Sequence, residues 1–338
     1  MAAALDTACE GADTNGVVVI GRNEGERLRR CLDSVVAPGC HVVYVDSGST
    51  DSSVALAQAK GVAVVTLDMS LPFTAARARN AGLARLREFA PSLRFVQFVD
   101  GDCEVIGGWI AGATRFLQEH ADVAAVCGRL RERHPERSVY NRLCDAEWDR
   151  PPGAADAVGG IAMLRVEAFV VVGGYREDLV AGEEPELCAR LRQRHWRVWR
   201  LPDAMAWHDA AMLHFGQWWK RTRRIGFGYG HAVALAVTPE DRRAAWRRVV
   251  RAWVWAFAWP LVTAVALIAW GWPALALLLA YPLQVARTAL GLRGSASARA
   301  VQSSFLMLGK FGELVGQCQY LASRRSADRA SPSFDYKA

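Results

Sequence analysis

The sequence predicts an α/β protein, a mostly parallel sheet with helices on both faces, followed by a C-terminal membrane helical hairpin. Three observations carry this. Between residues 17 and 128, short apolar runs alternate four times with amphipathic stretches, the mark of repeated β-α units. Residues 252–286 are 35 positions without Asp, Glu, Lys or Arg, interrupted near the middle by Gly271-Trp272-Pro273. Charge gathers around that run: the net is −5 for residues 1–213, +7 for 214–251 and +5 for 287–338.

This placement excludes a disordered chain, a disulfide-rich secreted scaffold and a uniformly basic binder of nucleic acid polymers. It suggests an acidic soluble part tied to a membrane. The eight cysteines include no C-x-x-C pair and read as buried reduced thiols. Residues 1–16 carry Asp6, Glu10 and Asp13 without an apolar stretch, so they are expected to be disordered and to hold no secretory signal.

The elements follow in order. Val17 to Gly21 is a strand and Leu28, Leu32, Val35 and Val36 mark a helix face. The alternation returns at His41–Asp46 with Val54–Ala59, at Val62–Leu67 with Ala75–Phe89, and at Phe95–Asp100 with Trp109–Phe116. In such sheets ligands sit beyond the carboxyl ends of the strands. There the first strand is followed by Arg22-Asn23-Glu24 and the second ends in Asp46-Ser47-Gly48-Ser49-Thr50-Asp51. Asp46 can accept from a base or ribose, and Gly48 lets the backbone approach; taken alone, the loop is equally ordinary turn and cap chemistry. No G-x-G-x-x-G follows the first strand, which argues against a nicotinamide cofactor.

The fourth strand ends in Asp100-Gly101-Asp102. Two carboxylates with Gly between them can face one hard cation and a diphosphate. Further on, Val158-Gly159-Gly160 and Gly173-Gly174-Tyr175 lead to Gly182-Glu183-Glu184-Pro185. Pro185 suits a first helical turn, so Glu183 and Glu184 lie at a helix N-terminus, where an ionised carboxylate is favoured and can take a proton.

Together Arg22-Asn23-Glu24, Val45 to Asp51, Ala78-Arg79-Asn80-Ala81-Gly82 and Asp100-Gly101-Asp102 resemble glycosyltransferase family 2 in order and spacing. The resemblance covers about Val17 to His208. It implies a GT-A fold, a UDP- or GDP-linked sugar donor, a divalent cation (Mn2+ or Mg2+) and inversion at the anomeric carbon. By that resemblance Asn23, Glu24, Asp46 and Ser47 lie near base and ribose, and Arg79 and Asn80 line the donor pocket. Asp100 serves ribose and metal, Asp102 is the direct metal ligand, and His208 faces the diphosphate or metal. Gly159 and Gly160 meet the acceptor. Where the family has Glu-Asp this chain has Glu-Glu, so the base falls on Glu184, with Glu183 as competitor. The implied catalytic domain is 17–211, a nucleotide-sugar half to residue 128 and an acceptor half from 129.

The absence of Q-x-x-R-W argues for transfer of one sugar per encounter. Basic and aromatic residues at 212–251 suit lipid headgroups. As one helix the charge-free run would reach about 52 Å against roughly 30 Å of hydrocarbon. The break at Gly271-Trp272-Pro273 therefore makes residues 252–292 two crossings; a re-entrant hairpin and a buried soluble hairpin are the alternatives. Arg residues flank both arms and none lies in the connection, so residues 293–338, a helix and tail, are expected on the cytoplasmic side with the catalytic domain. The expected acceptor is lipid-linked or a surface polysaccharide of the cell envelope. A nucleotidyltransferase of similar fold would instead open with a Gly-rich, Lys-containing phosphate loop, and a silent membrane scaffold would lack the carboxylate pair or the base.

Overall fold

A computed structural model describes residues 14–37, 40–236 and 238–325. The chain forms two compact units, Met1–Leu213 and His214–Ala338.

The first unit alternates β1 (Asn15–Gly21), α1 (Glu26–Val35), β2 (His41–Asp46), α2 (Ser53–Ala59), β3 (Ala63–Thr66), α3 (Ala75–Phe89) and β4 (Phe95–Asp100). After them come β5 (Cys103–Val105), α4 (Trp109–Glu119), β6 (Val123–Glu132), α5 (Val139–Trp148), β7 (Gly153–Ala154), β8 (Ala162–Arg165), α6 (Val166–Val171), α7 (Glu183–Gln193) and β9 (Arg197–His208). β1 begins two residues before the expected Val17, because Asn15 and Gly16 pair with Phe95 and Val96. Of residues 1–16, expected to be disordered, Asn15 and Gly16 are therefore ordered in β1, and residues 1–13 lie outside the described residues.

The sheet order is β3-β2-β1-β4-β8-β6-β9-β5, with β7 on β9. β1, β2, β3 and β4 are mutually parallel. β8 runs antiparallel to both β4 and β6, and β6 is parallel to β9. β4, β6 and β9 therefore all point the same way. The expectation of a mostly parallel sheet is met; the acceptor half adds the reversed β8 and the short reversed β7, and the short reversed β5 follows β4 in the first half. Gly21, Asp46, Asp100, Glu132 and His208 consequently finish at one carboxyl edge.

The core explains the run composition. Val17, Val18, Val19, Val43, Tyr44, Val45, Phe95, Val96 and Phe98 are buried from both faces, as a helix-covered parallel sheet requires. Leu28, Cys31, Leu32 and Val35 form the buried face of α1. Gly82 lets α3 close on the sheet: a Cβ there would stand 2.9 Å from Val45 and closer still to Val18. Cys31, Cys103, Cys127, Cys144 and Cys188 are buried free thiols and Cys318 is exposed. Cys40 departs from the reduced-thiol expectation, being disulfide-bonded.

The second unit comprises α8 (Phe215–Leu235), α9 (Pro239–Trp253), α10 (Trp259–Trp270), α11 (Ala280–Leu290) and α12 (Ala296–Arg325). A π turn at Val254–Ala258 joins α9 to α10, and a 3-10 segment at Trp272–Leu279 precedes α11. Pro260 has no N–H and crowds the carbonyl of Ala256; the π turn absorbs both, so the helix continues instead of starting at Ala252. It stops at Gly271, whose φ of 70° few other residues adopt. Among the described residues two stretches are long and apolar enough to cross a membrane: Pro239–Trp270, with mean hydropathy 1.8 over its most apolar 18 residues, and Trp272–Leu290, with 1.3 over the same length. Trp259 Nε1 donates to the Leu277 carbonyl at 3.0 Å, and the Tyr281 hydroxyl donates to the Trp255 carbonyl at 2.7 Å. Polar groups of the hairpin thus find partners within it, as hydrocarbon demands. Its outer face is apolar and open: Ile268 is 87% and Trp272 80% exposed.

α8 and α12 pack parallel through small residues. A Cβ at Gly312 would meet Thr222 at 2.9 Å, and the backbone at Gly316 and Gly226 lies against Arg223, Phe227 and Glu313. Gly226, Gly230, Gly312 and Gly316 therefore set a backbone-to-backbone approach that larger residues would hold apart.

Candidate active site

The loops after β1 and β2 are built as one piece. Asn23, at φ 54°, accepts through Oδ1 from the Thr50 amide at 2.7 Å, while its own amide donates to Ser49 Oγ at 2.9 Å. Gly25 N donates to Asp51 Oδ2 at 3.1 Å. Asp46 is buried and accepts from the Tyr44 hydroxyl and from the amides of Gly48 and Ser49. Its carboxylate therefore shapes the loop it begins. Ser47 is buried beside it, its amide donating to the Gly21 carbonyl. Glu24 is buried and pairs with Arg27 at 3.1 Å.

Arg79, 3% exposed on α3, is the hub of the next layer. Its guanidinium lies 3.1 Å from Asp100 Oδ1, 3.2 Å from Glu183 Oε1 and 3.1 Å from Glu184 Oε1. Burial alone would weaken its proton affinity; Asp100, Glu184 and Glu183 outweigh that and hold it well above the ordinary value. The adjacent Asn80, expected in the donor pocket, also makes contacts within the fold. Its amide donates to the Tyr175 carbonyl and to Glu177 Oε1 and accepts from Tyr175 N. It clamps the Gly173-Gly174-Tyr175 turn, where Gly173 and Gly174 both have positive φ.

Glu183 and Glu184 open α7, as Pro185 predicts, and Gly182 caps it at φ 87°. Burial and the neighbouring Glu183 carboxylate push the Glu184 carboxyl up to about 7, against the pull of Arg79. A carboxyl poised there accepts a proton near neutrality and keeps enough basicity to be useful. Gly160 lies directly against this cluster: a methyl group on it would meet Arg79 Nη2 at 2.5 Å and Asp100 Oδ2 at 3.0 Å. Gly159 faces open space.

Of the three residues expected at the metal, the structure brings Asp102 and His208 together and turns Asp100 to Arg79. Asp102 Oδ1 and His208 Nε2 are 3.7 Å apart, beyond hydrogen-bond range. Bonds of about 2.1 Å place two tetrahedral ligands about 3.4 Å apart, so the pair fits one cation. Behind it, His208 Nδ1 is buried without a hydrogen-bond partner, 3.7 Å from Glu132 Oε2. A ligating imidazole is ordinarily oriented through its other nitrogen by such a carboxylate. Burial alone would lower the His208 pKa; Asp102 and Glu132 reverse that and raise it. Trp148 meets the His208 ring edge to face at 4.8 Å.

Sequence reasoning missed Glu132, Trp148 and Cys103. Glu132 and Cys103 are direct ladder partners of His208, one on each side. Only strand register joins them, and no motif spacing reports that.

Comparison with known proteins bears on the family and the fold. Residues 16–172 match the family described as Glycosyl transferase family 2. A "Pre-mycofactocin glycosyltransferase", found in two strains of Mycobacterium tuberculosis, is 28% identical over 242 residues, covering 68% of this chain and 48% of the relative. The chain spans about half the length of these curated relatives. Among solved structures, a mannosyltransferase from Pyrobaculum calidifontis in complex with GDP-Man and Mn2+ superposes with a TM-score of 0.64 at 20% identity, covering 90% of this chain and 86% of that one. That likeness is one of fold.

Proposed function

Since the chain carries a glycosyltransferase family 2 domain of the GT-A fold, we propose that it is a metal-dependent inverting glycosyltransferase. It moves one sugar from a UDP- or GDP-linked donor to a lipid-linked or polysaccharide acceptor of the cell envelope, at the cytoplasmic face of the inner membrane. The observation that carries this reading is the division of labour at one sheet edge: Asp102 meets His208, while Arg79 holds Glu184 with its carboxyl raised to about 7.

The loops 22–24 and 46–51, tied by Asn23, form the floor for base and ribose. Asp102 and His208 would hold Mn2+ or Mg2+, oriented by Glu132 behind the imidazole. When bound, that cation neutralises charge developing on the leaving diphosphate. Arg79 aligns Asp100 on one side and Glu184 on the other, and Gly160 leaves room for the acceptor against them. Glu184 takes the proton from the attacking acceptor hydroxyl; an inverting displacement places that hydroxyl opposite the leaving group. Glu183, sharing Arg79, keeps the neighbouring charge that makes Glu184 basic.

The exposed apolar hairpin supports membrane attachment, since a contiguous surface of this kind needs covering. Basic residues on α8 and α9, among them Lys220, Arg224, Arg243 and Arg247, suit anionic headgroups. The deciding experiment is thermal stabilisation of the purified protein by a panel of sugar nucleotides with Mn2+ or Mg2+, followed by transfer assays with the donor that binds. If no sugar nucleotide raised the melting temperature with either cation, the reading would fail.

A further inference from the structure

Cys103 is the first residue of β5 and pairs directly with His208 across the antiparallel ladder; Glu132 pairs with the same His208 from the other side. Directly paired residues project to one face of the sheet. The Cys103 thiol is 1% exposed and donates to Asp102 Oδ1 at 3.5 Å. One ligand atom each from Asp102, Cys103 and His208 all lie within 4.8 Å of one another. The orphaned His208 Nδ1 faces Glu132 Oε2 rather than this cluster. That leaves Nε2 free to turn toward the sulfur and the carboxylate.

We propose that Cys103 makes this a thiophilic metal site, one that takes Zn2+, Cd2+ or Co2+ through oxygen, sulfur and nitrogen together. The inference rests on the reading of Asp102 and His208 as the cation's holders and adds a third ligand to them. A site for Mn2+ or Mg2+ is ordinarily built of oxygen donors, whereas imidazole and thiolate shift preference toward zinc. Binding converts Cys–SH and M2+ into Cys–S–M+ and a proton released to solvent. Three protein ligands then leave a tetrahedral cation one further position. A thiophilic cation therefore competes with Mn2+ for the same place and inhibits transfer by holding the site in a geometry that a diphosphate does not fully occupy. A buried cysteine serving only as a small apolar side chain is the competing reading.

The test uses full-length protein with the exposed Cys318 replaced by Ser, stripped with EDTA. Cd2+ is titrated while the ultraviolet thiolate-to-cadmium charge-transfer band is followed, and Mn2+ binding is read separately from the loss of its free paramagnetic signal. A saturable band is expected in this background, lost in Cys103→Ser and Cys103→Ala and kept in Cys31→Ser. Both Cys103 variants should still bind Mn2+, with Cd2+ competing about 10- to 100-fold less well. Mn2+ binding without a cadmium band, or a band that survives in both Cys103 variants, would overturn the proposal and leave the cation reading intact. A Cys103-dependent band without Mn2+ binding would uphold the proposal and remove only Mn2+ as the cation these residues hold; binding of neither ion overturns both. If the Cys103 variants do not fold, the 113Cd magnetic resonance signal of the Cys318→Ser protein decides: a sulfur ligand moves it well downfield of an oxygen-and-nitrogen site, and a signal in the oxygen-and-nitrogen range overturns the proposal.

Discussion

Arg79 Nη1 stands 3.1 Å from Glu184 Oε1 and 3.2 Å from Glu183 Oε1, so one buried guanidinium holds both candidate bases while Nη2 reaches Asp100. The proton-transfer half of the site depends on this arrangement.

Removing Arg79 leaves three carboxylates facing one another with no counter-charge. Arg79→Ala should cost about 3–5 kcal/mol of stability, the scale for breaking a buried ion pair from one side. It should also push the Glu184 carboxyl further up. Arg79→Lys keeps the charge but loses the fork, and should fall between the two. Denaturant unfolding measures this, and a loss below about 1 kcal/mol for Arg79→Ala would show the cluster to be solvated.

The Glu184 carboxyl, raised from an ordinary 4.5 to about 7, sets two pH dependences of opposite sign. As a base it must be ionised, so kcat/KM should rise with pH through about 7. As a buried acid it favours folding when protonated. Its contribution to stability is complete below about 4.5 and is lost as pH rises through about 7. Glu184→Gln should flatten both profiles, spare donor affinity and lower turnover by at least about 100-fold. Full turnover in Glu184→Gln with loss in Glu183→Gln moves the base by one residue.

Asp102→Asn should abolish transfer and Mn2+ binding together, since its oxygen stands opposite His208 Nε2. Calorimetric titration of Mn2+ in the presence of donor checks this. Wild-type rates after EDTA treatment, or in the variant, would end the metal assignment.

A methyl group at Gly160 meets a pinned guanidinium, which has no room to yield. Gly160→Ala should therefore displace the Arg79–Glu184 pair and lower kcat by up to about 100-fold, the effect of a misplacement near 1 Å. Gly159→Ala, facing open space, is the control and should leave rates near wild type in steady-state assays.

Charge placement predicts topology. Arg242, Arg243, Arg247, Arg248 and Arg251 precede the hairpin, Arg287 lies in the last turn of its second arm and Arg293 follows it, so both flanks should be cytoplasmic. On a background without native cysteines, a cysteine at position 272 should react with an impermeant maleimide in intact cells, and Cys318 restored alone only after lysis. Labelling of Cys318 from outside means an odd number of crossings; silence at both positions before lysis favours the re-entrant hairpin. A probe at Ser331 lies outside the described residues.

Local sequence decided the first half of the fold. The apolar runs of β1, β2 and β4 and the helical spacing of α1 and α3 depend on neighbours a few residues away, and they appear in the structure within two residues of the expected bounds. The loop motifs after those strands, the helix start at Glu183 and the break at Gly271 were legible for the same reason: turn and cap chemistry is local. What only the tertiary structure decided is pairing across the sheet. β8 runs against β4 and β6, and through that reversal β9 comes to lie beside β6 and β5, setting Glu132, His208 and Cys103 in one row. The same packing set Asp100 against Arg79 and used the Asn80 amide on Tyr175, 95 residues away. Burial, which the chain's packing supplies, does most to set the proton affinity of Glu184, with the adjacent Glu183 raising it and Arg79 from a distant segment opposing, because the free energy of a carboxylate depends on what surrounds it in space.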